Sequence, residues 1–219
     1  MILNQTAKDS LKALASAADP ASWRRRGRVR DRSFTIVSND CWAAEVYKDL
    51  KLPYATPFVG TRIMGPEFIE LVRDLPRALA GRLEPAPASR YAALVDREHR
   101  EWKEYAVGLL DGRIELHFLH YATFAEAADK WRRRLDRIVW NRLFFKLSAD
   151  KDGFTEEHLR AFDALDVPGK LAFVRRPYPG VRCAVVCGDD YDVDAVKFYR
   201  SSLRHFDLSG WLNGERLAG

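Results

Sequence analysis

The sequence carries only three cysteines, an odd number with no framework spacing, which excludes the disulfide-stapled class of small secreted domains. Cys183 and Cys187 share one apolar run. On a strand, a spacing of four puts them on one face but about 13 Å apart, too far to share a metal ion. No apolar run approaches the roughly 20 residues of a membrane span. The stretch from Met1 to Asp19 lacks the apolar core and cleavage site of a secretory signal, which makes the cytoplasm the expected compartment. A phosphate-binding glycine loop, a zinc-ligand spacing and a Gly-x-Ser-x-Gly elbow are also missing, and with them several ready functional assignments.

What the chain does have is ample apolar and charged material. Its 219 residues, 47% hydrophobic and 31% charged, are enough for one domain with a substantial core. The net charge of +5 is concentrated in two places. Arg24, Arg25, Arg26, Arg28, Arg30 and Arg32 crowd the approach to the first apolar strand, and Arg132, Arg133, Arg134 and Arg137 crowd a later helix. With Trp23, the first cluster suits peripheral contact with an anionic membrane; a solvated linker is the alternative. Residues 1–32 are therefore read as a basic N-terminal arm, with Asp9 to Ala18 as a short helix ended by Asp19-Pro20, and residues 33–219 as a single domain.

Within that domain, strands alternate with helices. Phe34 to Val37 predicts a strand, central in its sheet, that runs into the N-capping residues Ser38, Asn39 and Asp40 and then a helix stripe of Trp42, Val46 and Leu50. Pro57 to Val59 reads as a short second strand. Pro66 and Glu67 open a helix that Pro76 breaks, and Arg82 to Arg100 reads as a long excursion. Tyr105 to Leu110 and Arg113 to Leu119 flank Asp111-Gly112, a hairpin signal. Thr123 and Glu126 form a capping box for a helix through Trp131. Strands at Leu143 to Leu147, Leu171 to Val174 and Cys183 to Cys187 follow, with helices after Thr155 and from Asp192 to Phe206, and a loose tail. The pattern predicts an α/β fold, a three-layer α/β/α sandwich around a mostly parallel, mixed sheet.

Parallel strands bring their carboxyl ends to one edge, where such folds place ligands. Ser38, Asn39, Asp40, Gly60-Thr61, His120-Tyr121, Ser148 to Asp150 and Gly188 to Asp190 are the segments that edge would gather. Cys41, at a helix start, is a candidate nucleophile with His120 as its base and Asn39 as an oxyanion donor; a buried structural thiol is the alternative reading of Cys41. Lys130, Arg134, Arg137 and Asn141 follow helical spacing and form a ridge able to hold carboxylate or phosphate, or else a solvated face. Asp189, Asp190, Asp192 and Asp194 suit either a magnesium ion or a helix start.

Ser38-Asn39-Asp40-Cys41-Trp42, Thr56-Pro57-Phe58-Val59, His120-Tyr121, Lys130-Trp131, Arg134 and Arg137-Ile138 resemble an uncharacterised bacterial domain family. Its members are often labelled exopolysaccharide or capsule biosynthesis proteins. The similarity runs from Ser33 to Val186, and departs from the family pattern at Asp40, where asparagine is usual, and at Ala43 and Ala44, where glycines are. A fainter likeness, carried by the cysteine at a helix start, the Pro-Phe segment and the later histidine before an arginine-rich helix, is to proteins labelled papain-like cysteine peptidases.

The resemblance implies an enzyme of surface-polysaccharide assembly. The basic ridge adds an anionic sugar or sugar nucleotide as substrate, bound among Ser38, Trp42, Tyr121, Lys130, Arg134, Arg137 and Asn141. No cofactor and no nucleic acid are expected. The alternatives are a Cys-His hydrolase or acyltransferase, and a non-catalytic module that binds nucleic acid or anionic membrane through the arm.

Overall fold

A computed structural model of the chain describes residues 19–98 and 105–215; the helix expected from Asp9 to Ala18 lies outside them. Four strands, β1 (Thr35–Ser38), β5 (Leu143–Ser148), β6 (Lys170–Val174) and β7 (Ala184–Val186), form a sheet in the order β1-β5-β6-β7, with every pairing parallel. A second, antiparallel sheet joins β2 (Leu83–Pro85), β3 (Ala106–Leu110) and β4 (Ile114–Phe118). The α/β class holds, with one correction: among the described residues β1 is an edge strand rather than a central one, paired with β5 alone.

Side chains alternate across the parallel sheet and build a core on each face. On one face, Ile36, Phe144, Leu171, Phe173 and Val185 meet helices α2 (Trp42–Asp49), α8 (Ala195–Ser202) and α9 (Leu208–Leu212). Trp42 is the hub there, its ring against Phe173, Tyr199, Phe206 and Trp211, and its indole N–H donated to Ser202 Oγ at 3.0 Å. On the other face, Val37, Phe145, Leu147, Ala172 and Val174 meet α3 (Gly65–Arg73), α6 (Phe124–Leu135), α7 (Glu156–Ala164) and the antiparallel sheet. Two further helices, α4 (Leu75–Ala80) and α5 (Ala92–Glu98), flank β2 in sequence.

Several sequence signals act as expected. Thr123 Oγ1 accepts the Glu126 N–H at 3.2 Å, while the Glu126 carboxylate reaches back one residue further than a capping box requires, to Ala122 N–H at 3.1 Å. Asp111 and Gly112 both take positive φ in the β3–β4 turn. Pro76 lies at the start of α4, after a break at Asp74.

Others are corrected. Pro57 to Val59 is a turn, closed by Thr61 N–H on Phe58 O at 3.3 Å; Pro57 has no donor and Gly60 turns the chain with φ +77°. The expected excursion from Arg82 contains β2 and α5. The final helix starts later, where Asp194 caps Val196 and Lys197, and the expected loose tail holds α9, with Trp211 and Leu212 in the core. Asp19-Pro20 starts a helix. Asp19 accepts the Ala21 N–H at 2.9 Å, and Pro20 opens α1 (Pro20–Arg28), where a missing N–H costs nothing.

That helix is docked on the body. Arg25 grips Asp49 with two bonds, at 2.6 and 2.7 Å, Arg26 donates to Leu50 O and Lys51 O, and Arg28 pairs with Asp207. Trp23 is 56% exposed. No helix among the described residues is long and apolar enough to cross a membrane.

Candidate functional site

At the carboxyl edge of β1 the chain turns through Ser38, Asn39 and Asp40 into α2. Asp40 Oδ1 accepts the Trp42 N–H at 3.0 Å, which leaves Cys41 at the N-cap position itself. Asn39 is fully buried and doubly bonded to Ser148, donating to its carbonyl at 3.2 Å and accepting its N–H at 2.8 Å. Its amide thereby ties the ends of β1 and β5 together.

Beneath this edge lies a charge cluster. Lys146 Nζ and Lys151 Nζ each approach a different oxygen of Asp40 at 2.7 Å, and Lys146 also donates to Ser148 Oγ at 2.5 Å. Arg62 bonds both oxygens of Asp152, at 2.8 and 3.0 Å. All five are buried. Burial acts to raise Asp40, but Lys146, Lys151 and Arg62 overcome it and hold the carboxyl well below its usual range. Three basic groups face two acids, and burial pushes Lys146 down to about 7, so that near neutral pH it carries only part of a positive charge.

Above the cluster opens a cavity of about 280 Å³, near the lower limit of small-molecule sites. Cys41, Gly60, His120, Tyr121, Lys130 and Arg134 line it, with Tyr54 and Lys48. These residues come from the start and body of α2, the Tyr54 segment after it, the turn that ends at Gly60, the link from β4 into α6, and α6 itself. His120 is not on the parallel sheet, contrary to the expectation. It arrives from the antiparallel one, because Arg62 and His117 exchange backbone bonds of 2.9 Å and Ile63 N–H bonds Asn39 O at 2.9 Å.

The wall is basic and aromatic. Arg134 donates to Tyr121 Oη at 2.7 Å and to Val59 O at 3.1 Å, with its guanidinium 5.6 Å from the Tyr54 ring centre. Lys130 pairs with Glu126 at 2.6 Å and lies 5.1 Å from the Tyr121 ring centre. Lys48 pairs with Glu45 at 2.6 Å. Burial, reinforced by Asp40, pushes the Cys41 thiol up to about 11, while Arg62, Lys151 and the Gly60 N–H act the other way. Burial of one side of His120, with Lys48 and Arg62 nearby, lowers its imidazole. Burial thus disfavours the charged form of both the Cys41 thiol and the His120 imidazole.

Of the candidates, Cys41, His120, Tyr121, Lys130 and Arg134 share this cavity. Ser38, Asn39 and Trp42 are buried behind it. Arg137 and Asn141 are exposed beyond α6, which stops at Leu135, so the helical spacing that put them on the ridge does not extend to them. Asn141 instead borders a wider hollow, of about 1070 Å³, at the amino ends of β5 and β6. The cations there are engaged: Lys170 donates to Asp163 O and Leu165 O, and Arg142 pairs with Asp31 and donates to Leu212 O. Asp190 pairs with Arg204 and His205, and Asp194 caps α8. Among the described residues, no group of three His, Cys, Asp or Glu side chains is placed to hold a metal. The three cysteines are free and buried.

Sequence reasoning missed Arg62, Lys146, Lys151 and Asp152. Only Lys146 carried a signal, a lone lysine within Phe144-Phe145-Lys146-Leu147, where a parallel strand is covered on both faces.

A family model described as a domain of unknown function (DUF1919) matches residues 16–213. An uncharacterised protein of Haemophilus influenzae is 29% identical over 189 residues, which cover 86% of this chain and 81% of that one.

Proposed function

The chain belongs to the DUF1919 family, and within it we propose an enzyme of surface-polysaccharide assembly whose cavity takes an anionic sugar or the sugar end of a sugar nucleotide. The observation that carries this reading is the convergence of Cys41, His120, Tyr121, Lys130 and Arg134, drawn from distant parts of the chain, on one cavity. Arg134 is the anchor for a carboxylate or phosphate, held in place by Tyr121 and Val59 O so that little side-chain freedom is lost on binding. Tyr54 and Tyr121 offer ring surface to an apolar sugar face, and the buried basic groups beneath Cys41 favour an anion above it. The pathway itself rests on the label of the resembling family.

A second reading concerns chemistry. Cys41 and His120 line the same cavity, and the Gly60 N–H faces the sulfur. A neutral imidazole can take the thiol proton as sulfur attacks an acyl carbon and return it to the leaving group, with the N–H as oxyanion donor. That is hydrolase or acyltransferase chemistry. The rival of a binding arm is disfavoured by the engagement of Arg25, Arg26 and Arg28 with the body.

A thermal-shift screen with glucuronate, glucose 1-phosphate, a uridine diphosphate sugar and uncharged glucose tests the first reading. An anionic sugar at 100 times its Kd should stabilise the fold by about 2.7 kcal/mol, and Arg134→Ala should abolish that shift. Equal shifts with uncharged glucose, or a shift that survives Arg134→Ala, would overturn it.

A further inference from the structure

A second buried polar cluster is built around Glu67 and Glu115. Glu67 on α3 and Glu115 on β4 are both buried, 4% and 1% exposed. Almost every bond they accept comes from one short stretch of chain. Ser89 Oγ donates to Glu115 at 2.8 Å, Arg90 N–H at 2.8 Å and Arg90 Nε at 2.9 Å, and Arg90 Nη2 reaches Glu67 at 2.5 Å. The Arg90 side chain is itself 56% exposed. A solvent-facing guanidinium thus bridges two buried acids, and it also donates to Arg113 O.

The chain leaves the antiparallel sheet at Ala86, whose N–H bonds Val107 O at 2.9 Å, and enters α5 directly after Arg90 and Tyr91. On α5, Leu94 rests against Gly153: a Cβ there would lie 3.1 Å from Leu94 Cδ2. Gly153 closes a loop in which Asp150, Asp152 and Gly153 all take positive φ, 60°, 56° and 73°, a conformation that persists only where its surroundings enforce it. Lys151 and Asp152 in this loop are the partners of Asp40 and Arg62.

We propose that residues 86–98 form a strap locked by Arg90 onto Glu67 and Glu115, and that unlocking it loosens the Asp150–Gly153 loop on which Leu94 rests and, through Lys151 and Asp40, the turn that holds Cys41. The strap and the loop then open as one unit, a subglobal opening below the cost of global unfolding. The device does not depend on what the cavity binds.

Native-state hydrogen exchange in low urea on the wild-type chain tests this first. Amides of 92–98 and of 149–154 should merge into one opening isotherm, at lower urea than the β5 and β6 amides. Separate isotherms for the two segments would overturn the proposal. Arg90→Ala should speed exchange in both segments and Cys41 alkylation by about tenfold or more. Millimolar methylguanidinium, refilling the socket between Glu67 and Glu115, should restore protection, and Arg82→Ala should change nothing. Faster exchange in 92–98 alone, with the loop and Cys41 unaffected, would reduce the strap to a local contact and refute the coupling.

Discussion

Gly60 packs directly against the ring of Tyr121: a Cβ on Gly60 would lie 3.0 Å from the ring edge and from the phenolic oxygen. The same residue takes φ +77° and aims its N–H at Cys41. Gly60→Ala should therefore displace Tyr121, and with it the seat of Arg134. Strain and overpacking together should cost about 1–3 kcal/mol, read as a fall in the urea midpoint, with anionic-sugar binding lost as well. A variant with wild-type binding would show that Tyr121 does not set the cavity.

Asp40 bonds both Lys146 and Lys151, one with each carboxylate oxygen. Asp40→Asn removes the counter-charge that Lys146 and Lys151 share, and breaking such a buried pair costs about 3–5 kcal/mol. Tm should fall by roughly 6–20 °C for a domain of this size. Adding Lys146→Met should recover part of the loss, since an apolar chain needs no partner. A single variant as stable as the wild type would contradict the role given to Asp40.

Burial raises Glu67 to about 7, against the pull of Arg90. The folded chain holds this proton more tightly than the unfolded chain does, so the contribution is fully present below about pH 4.5 and is lost as pH rises through about 7. Relative to Glu67→Gln, the wild type should lose on the order of 1–3 kcal/mol between pH 5 and pH 8. Parallel stability curves for the two proteins across that window would remove Glu67 from the account.

Trp211 packs against Phe144 and Trp42, with its indole N–H donated to Gly169 O at 3.2 Å. Trp211→Ala should cost about 3–5 kcal/mol, measured by urea denaturation. A near-neutral effect would restore the description of this segment as a loose tail.

The contrast between Trp211 and Thr123 shows where the sequence was legible. Caps, hairpin turns and helix stripes are local, so Thr123, Asp111-Gly112 and Pro76 could be read from neighbours a few residues away. The role of Leu208 to Leu212 depends on a groove supplied by β5 and α2, which no local pattern encodes. The position of β1 at the sheet edge was hidden for a related reason, since α2 and the segment at Tyr54 and Ala55 cover it and its residues look as apolar as those of a central strand. Of the residues that share the cavity, Cys41 and His120 were proposed from residue type and placement at element ends, and Arg134 from helical spacing. Arg62 and Lys151 were not, because a single charged residue in a loop looks the same whether it faces water or a buried acid.

Calorimetric titration of glucuronate and glucose 1-phosphate into the wild type, Arg134→Ala and Arg24→Ala tests the central claim most directly. The account predicts saturable binding of at least one of these anionic sugars, absent for glucose, weakened tenfold or more by Arg134→Ala and unchanged by Arg24→Ala. Binding that survives Arg134→Ala and disappears with Arg24→Ala would place the anion on the N-terminal helix and contradict the cavity as the functional site.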